Sequence, residues 1–264
     1  NELTLSGGGT FSNTNALVLN DADSLLSLGG ILSVGDVDVT VASNSGKGLH
    51  VTSSATLGTF DLTAVSNLDI AASQTLGGQL NLQTNGELIK SGLGEYTGDI
   101  ALAGGKFSAA DDQVLAGTLS ITASSELRVS DNSTLTLSQA GGLPLGASTL
   151  TLSGGGTLSI TNALKLDNAA SKLLLNSITV NSVNTTADSL GLKIDNNSTV
   201  TTLTISNITP VSIASGSSLS GAITVTAGSL KLTDQGTLAS AISMNGGTLD
   251  ADESLTVSGA VTQA

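Results

Sequence analysis

The octapeptide LTLSGGGT at Leu3–Thr10 returns unchanged at Leu150–Thr157. The match continues without a gap through TFSNTNALVLNDADSLLSL and TLSITNALKLDNAASKLLL, so that 18 of the 26 positions from Leu3 to Leu28 equal their partners. A chain that carries such a copy of itself is built by duplication, and its fold must be a repeating one. Most exchanges fall at positions between apolar residues, the positions that should face outward.

A shorter period lies inside the copies. The recurring unit is apolar–polar–apolar followed by a turn, as in LHV at Leu49, FDL at Phe60, LNL at Leu80, LSI at Leu119 and LTL at Leu135. Alternation with period two marks a strand with one buried face, and no window carries the i, i+3, i+4, i+7 pattern of a helix. Phe60, Leu80, Ile100 and Leu119 start such units about 20 residues apart. A coil of that length cannot bury its own apolar residues, but a stack of coils closes a continuous ladder of Leu, Ile and Val. The expected fold is therefore all-β: a parallel β-helix (β-solenoid) with coils of about 20 residues, in which roughly 13 coils make an elongated rod on the order of 60 Å long.

The duplication is longer than one coil. GLHV at Gly48 aligns with GLKI at Gly191. The positions expected to point inward, Leu57, Phe60, Leu62, Val65, Leu68 and Ile70, meet Val200, Leu203, Ile205, Ile208, Val211 and Ile213, and the match runs on through Leu82 and Val225. IALAGGKFSA at Ile100 then meets ISMNGGTLDA at Ile242. The apolar pattern is kept while the outward residues drift. One solenoid is expected, with copy one over 1–117, further coils over 118–147 and copy two over 148–264.

Composition narrows the function classes. The 39% apolar content is too high for a disordered Ser/Gly linker, and 32 Gly against 2 Pro suits short turns between many short strands. With a formal charge of −13 and eight scattered Lys and Arg, the chain lacks the clustered cations that neutralise phosphates, so neither nucleic acid nor an anionic membrane is an expected partner. No apolar run approaches the roughly 20 residues of a membrane span. The absence of Cys, together with this acidic Ser/Thr/Asn/Gly-rich composition, points to a bacterial protein exported unfolded. The start at Asn1-Glu2 suggests a processed product or a piece of something longer.

Within copy one, GEYTGDIALAGGKFSAADDQVLAGTL (Gly94–Leu119) resembles the repeats of bacterial autotransporter passenger domains and related large surface adhesins. The resemblance rests on the Tyr96-Thr97-Gly98 turn, the Gly104-Gly105 pair before a short strand, and the closing Gly117-Thr118-Leu119. Elsewhere it extends only to composition and coil pattern. It implies a right-handed parallel β-helix, and it leaves the activity open, since such passengers include adhesins, proteases and esterases.

Candidate chemistry is sparse. His50 is the one residue suited to act as a neutral-pH base, and Lys193 takes its place in copy two, as a solvated face would allow. Any nucleophile–His–acid set would have to use His50, and none is evident. Asp111-Asp112 and Asp252-Glu253 are the nearest approach to a glycosidase-type carboxylate pair, but both follow a strand as turn residues do and neither has an aromatic or Arg beside it. Asp21 and Asp23 in NDADS are the candidate calcium ligands, yet copy two has DNAAS with Asp167 as its one acid. Gly7–Gly9 and Gly154–Gly156 lack the following Lys-Ser/Thr of a phosphate loop and are expected to be turn glycines. Asn132, Asn184 and Asn207 open glycosylation sequons of the kind that arise by chance in so Asn- and Ser/Thr-rich a chain. The Thr-x-Thr pairs Thr134–Thr136 and Thr149–Thr151 resemble those of ice-binding solenoids, but along the sequence they do not recur coil after coil on one phase.

These observations lead to a non-enzymatic extracellular segment of a bacterial surface or secreted protein: a rigid stalk or passenger with no catalytic, cofactor or metal site. Its expected partners are a host surface, matrix or sister molecules, met through many weak polar contacts. The rivals are a self-assembling filament subunit and a pectin-lyase-like enzyme. Neither Leu3-Thr4-Leu5 nor LTVSGAVTQA, with Leu255, Val257 and Val261, looks like a polar cap, so continuation into a longer rod or end-to-end association is expected.

Overall fold

A computed structural model describes residues 1–30, 32–251 and 256–263. It is all-β, with no helix among the described residues. The chain divides into two compact units, Asn1–Gln139 and Ala140–Ala264.

In the first unit one ladder stacks Glu2–Ser6, Leu25–Gly29, Gly48–Val51, Val65–Ile70, Glu87–Ser91, Lys106–Ala109 and Ser125–Val129 in chain order. In the second it stacks Thr149–Ser153, Lys172–Asn176, Gly191–Ile194, Ile208–Ile213, Ser229–Thr233 and Thr248–Ala251. These 13 strands mark 13 turns of a β-solenoid. Neighbours are parallel, and register partners lie between 19 residues apart (Gly48 and Asn67) and 23 apart (Glu2 and Leu25). The remaining strands build two further ladders per coil. Thr75–Gln83 serves both: Leu76 pairs with Ala55 and Tyr96, and Leu80 pairs with Phe60 and Ile100.

Stacking coils in register puts like on like. Val37, Phe60, Leu80, Ile100 and Leu119 follow one another as direct partners, and all are buried. Each such side chain contributes about 1.5–3 kcal/mol by leaving water, and only because a neighbouring coil covers it.

Two of the expected inward positions are reversed. Val65 is half-buried and Ile208 is 50% exposed, whereas Ser66 and Thr209 next to them are fully buried. The alternation runs backward from Leu68 and Ile70 to Ser66, and from Val211 and Ile213 to Thr209, so the apolar residue at each strand start falls on the outer face. Both inward hydroxyls donate to nearby backbone carbonyls, Ser66 to Asn67 (3.4 Å) and Thr209 to Asn207 (3.2 Å), which lowers the cost of their burial.

The bend between the second and third ladders needs glycine. Gly78 has φ +119° and its partner in copy two, Gly221, has φ +124°. A Cβ on Gly221 would stand 1.8 Å from the Val200 carbonyl oxygen. Gly221→Ala should therefore cost about 2–4 kcal/mol, combining backbone strain and a backbone clash. Gly141→Ala, where a Cβ meets nothing within 4 Å, should be nearly neutral. Chemical denaturation followed by circular dichroism checks both; equal stability of the two variants would contradict this account of the bend.

Candidate functional site

The single histidine sits in a row along the outer face of the first ladder that runs from Thr4 to Ser91. Ser27, His50 and Asp69 are successive register partners, and His50 Nε2 lies 3.2 Å from an Asp69 carboxylate oxygen. The corresponding row in copy two is Leu174, Lys193 and Ser212. There Lys193 Nζ is 2.7 Å from Asp195, whose hydrogen bond and charge raise the lysine pKa above its ordinary value. A Ser–His–Asp sequence is thus brought together, but on an open sheet face with His50 39% and Asp69 49% exposed. Backbone N–H groups of a ladder interior are engaged by the neighbouring strand, so the row presents an imidazole–carboxylate contact and no preformed oxyanion hole.

The other acidic candidates are held in turns. The Asp112 carboxylate accepts from the Thr134 amide at 2.7 Å. Asp21 accepts from the amide of Asp23 at 2.9 Å, and Asp23 accepts from the Asn44 side chain at 2.7 Å. Asn168 makes the equivalent turn in copy two, accepting from the Ala170 amide at 2.9 Å, so an uncharged side chain performs the same local task. Asp167 accepts from the Gly146 amide at 2.9 Å. Asp252, Glu253 and Leu255 lie outside the described residues. Gly7 and Gly154 have positive φ, as turn glycines do. Asp38 and Asp61, in register on the third ladder, place like charges side by side. Burial, then Asp61 and Asp36, raise the Asp38 pKa.

The most unusual group is one the sequence reading missed. Lys90 points inward, between Leu68 of the preceding coil and Ala109 of the next, and is fully buried. Its ammonium donates to three carbonyls of the corner that follows: Ser91 at 3.1 Å, Gly92 at 3.3 Å and Gly94 at 2.9 Å. The Gly92 oxygen also accepts from Gln113 Nε2 at 3.0 Å, and Gln113, 2% exposed, leaves its own Oε1 without a partner. Tyr96 closes the corner, donating its hydroxyl to the Gly78 carbonyl at 2.9 Å, and burial raises its pKa. Burial lowers the Lys90 pKa to about 8, against the pull of Asp69 and Asp111. Alignment of the copies sets Leu232, Leu238 and Leu255 opposite Lys90, Tyr96 and Gln113. The corner itself persists: Gly94 N–H donates to Ile70 at 2.9 Å and Gly236 N–H to Ile213 at 3.0 Å. Period-two alternation from Leu88 was the available signal for Lys90, but a charged residue is ordinarily assigned to the solvent side. Its chemistry is that of an internal ammonium bracing a turn, enclosed away from any solute.

Among the described residues, no three His, Cys, Asp or Glu side chains converge as metal ligands would. No protein-family model, curated protein or solved structure matches the chain.

Two stability measurements test these electrostatics. Lys90 is charged in both folded and unfolded chains below pH 8 and neutral in both above 10.5, so its burial cost is full at neutral pH and disappears as pH rises between those values. Lys90→Leu should be more stable than the wild type at pH 7, by up to about 3 kcal/mol less whatever the three lost hydrogen bonds contributed. Its advantage should shrink between pH 8 and 10.5. A difference that does not change over that range would contradict the buried-ammonium account. For Asp38 the raised pKa means that the protonated form is the better tolerated one. Asp38→Asn should melt higher than the wild type at pH 7 and lose that gain as pH falls through the raised folded value towards the ordinary aspartate value of 3.8.

Proposed function

We propose that the chain is a structural, non-enzymatic segment of a bacterial surface or secreted protein, in the manner of autotransporter passengers and large adhesins. The β-solenoid is itself a stalk-like repeat architecture. What supports the adhesive reading is the outer surface: ladder positions that alternate with the buried Leu, Ile and Val carry Thr, Ser, Asn and scattered charge along successive coils. Such rows offer a partner many equivalent weak contacts. Binding then accumulates by avidity, the second contact forming at the effective concentration set by the first.

The residues of the resembling segment have structural tasks consistent with this reading. Tyr96 fills the interior, and a Cβ on Gly117 would come within 2.0 Å of the Gly98 carbonyl oxygen, so the backbones of adjacent coils meet there.

The reading predicts a large difference between one copy and many. Beads displaying the chain densely should adhere to host-cell or matrix-coated surfaces at least about 100-fold more strongly than the free chain. High salt should weaken that adhesion only modestly, because the contacts are mainly uncharged. Flow-chamber detachment alongside surface plasmon resonance of the free chain measures both. Equal binding by beads and free chain, with a single tight saturable site, would replace this reading with that of a dedicated receptor pocket.

A further inference from the structure

The two copies share an interior but differ on the outer face of the third ladder, and in the second unit the coils from Asn184 onward carry no charge in its columns, Lys165 standing in register with Asn184 at their edge. Three columns run across successive coils there. The central one is Asn184, Thr204, Thr224, Ser243 and Thr262, each the direct register partner of the next. Two residues earlier on each strand the column reads Ser182, Thr202, Ala222 and Ala241, again in register. Just beyond the strand ends stand Thr186, Ser206, Thr226 and Asn245. All 13 of these residues are small and uncharged, in a chain of net charge −13, and all are half-buried or exposed. In copy one the same places hold Asp61, Gln79, Asn81 and Asp99, where copy two has Thr204, Ala222, Thr224 and Ala241. At these four places both carboxylates and both amides of copy one have been exchanged for hydroxyl or methyl. The recurrence on one phase that is absent from the sequence at Thr134–Thr136 and Thr149–Thr151 is present here, once unequal coil lengths are absorbed in the turns.

The array is stiff. Thr is restricted at χ1. Several hydroxyls are further fixed by the preceding coil, Thr226 donating to the Ile205 carbonyl at 3.1 Å and Thr262 to that of Ile242 at 3.3 Å, and Ser206 and Thr226 are hydrogen-bonded to each other at 3.0 Å. Along a column the spacing is the inter-strand distance, about 4.8 Å. In tetrahedrally bonded water, with oxygens about 2.8 Å apart, two oxygens sharing a neighbour stand about 4.6 Å apart. The two repeats differ by about 5%, so the mismatch accumulates to less than about 1 Å over four or five coils.

We propose that this face binds ice: its hydroxyl and methyl columns hold a layer of water in the spacing of the solid and so join the chain to an ice surface. Charge and area both select this occupant. A neutral lattice meets no cost from these uncharged columns, whereas a charged polymer finds only Lys165 at their edge to pair with. Three columns over four coils cover roughly 300–400 Å², about half of the ~800 Å² per partner typical of a stable protein interface. A second copy of the chain would also bring its own net charge of −13. Sugar chains are ordinarily gripped by aromatic rings, and the four aromatic residues of the chain, Phe11, Phe60, Tyr96 and Phe107, all lie in the first unit.

The test grows ice slowly from a solution of the full chain and measures how much protein the ice takes up, with a non-binding protein of equal size as reference. The wild type should enter the ice at least several-fold above the reference. Thr204→Tyr/Thr224→Tyr should reduce uptake at least tenfold, Ala222→Tyr alone should reduce it measurably, and Lys193→Tyr on the first ladder should leave it unchanged. Circular dichroism confirms that each variant remains folded; if the double variant unfolds, Ala222→Tyr decides. Uptake no greater than that of the reference overturns the proposal, as does uptake that survives tyrosine on this face. Association into dimers, or retention on crystalline cellulose, that is lost in the same variants while ice uptake is absent, assigns the face to those partners instead. Because none of these readouts involves host or matrix adhesion, their failure would leave the stalk reading standing.

Discussion

Coverage of one coil by the next is the interaction on which everything else in this chain depends. No coil has an inside of its own. Leu80 is dry because Phe60 lies on one side of it and Ile100 on the other, and each of those depends in turn on its own neighbours. The parallel ladders hold this arrangement in register, and apolar burial rewards only the correct register, since a slip of one residue would turn each inward row outward. Rigidity, repetition of surface rows and indifference to outward substitution all follow from that one requirement.

The requirement also explains why the architecture was legible and much of the surface was not. Period-two alternation and a 20-residue spacing are direct imprints of coverage, so Phe60, Leu68, Leu80 and their copy-two counterparts could be placed inside from sequence alone. The reading failed at Val65 and Ile208, where an apolar residue at a strand start was counted inward although the pleat requires Ser66 and Thr209 there. Hydrophobicity was weighed above phase, and phase decided. The Thr columns of the second unit were missed because they are periodic in coils rather than in residues. Their partners lie 20 residues apart over the first coils and 19 apart over the next, and only the turns reveal where the difference is absorbed.

Lys90 is the exception within the core. A buried ammonium costs stability, and copy two closes the same corner with Leu232 in its place. The geometry nevertheless satisfies most of what it buries: three carbonyls surround the charge, and Asp69 and Asp111 favour it from a distance. Sequence could indicate the position but not the partners, because carbonyl oxygens converging on one point are a property of the corner rather than of any side-chain pattern.

The register between coils has a consequence for how such a chain tolerates change. Every outward residue has an address on a two-dimensional grid, its coil giving one coordinate and its place along the strand the other. Coils of 19 and of 23 residues occupy identical cells because the surplus is taken up at the corners. An insertion at a corner therefore moves no address, whereas an insertion of one residue within a strand displaces every cell that follows in that coil. Substitution edits the content of a cell and leaves the map intact. Two copies of one interior can in this way carry an acidic text on one grid and a hydroxyl text on the other.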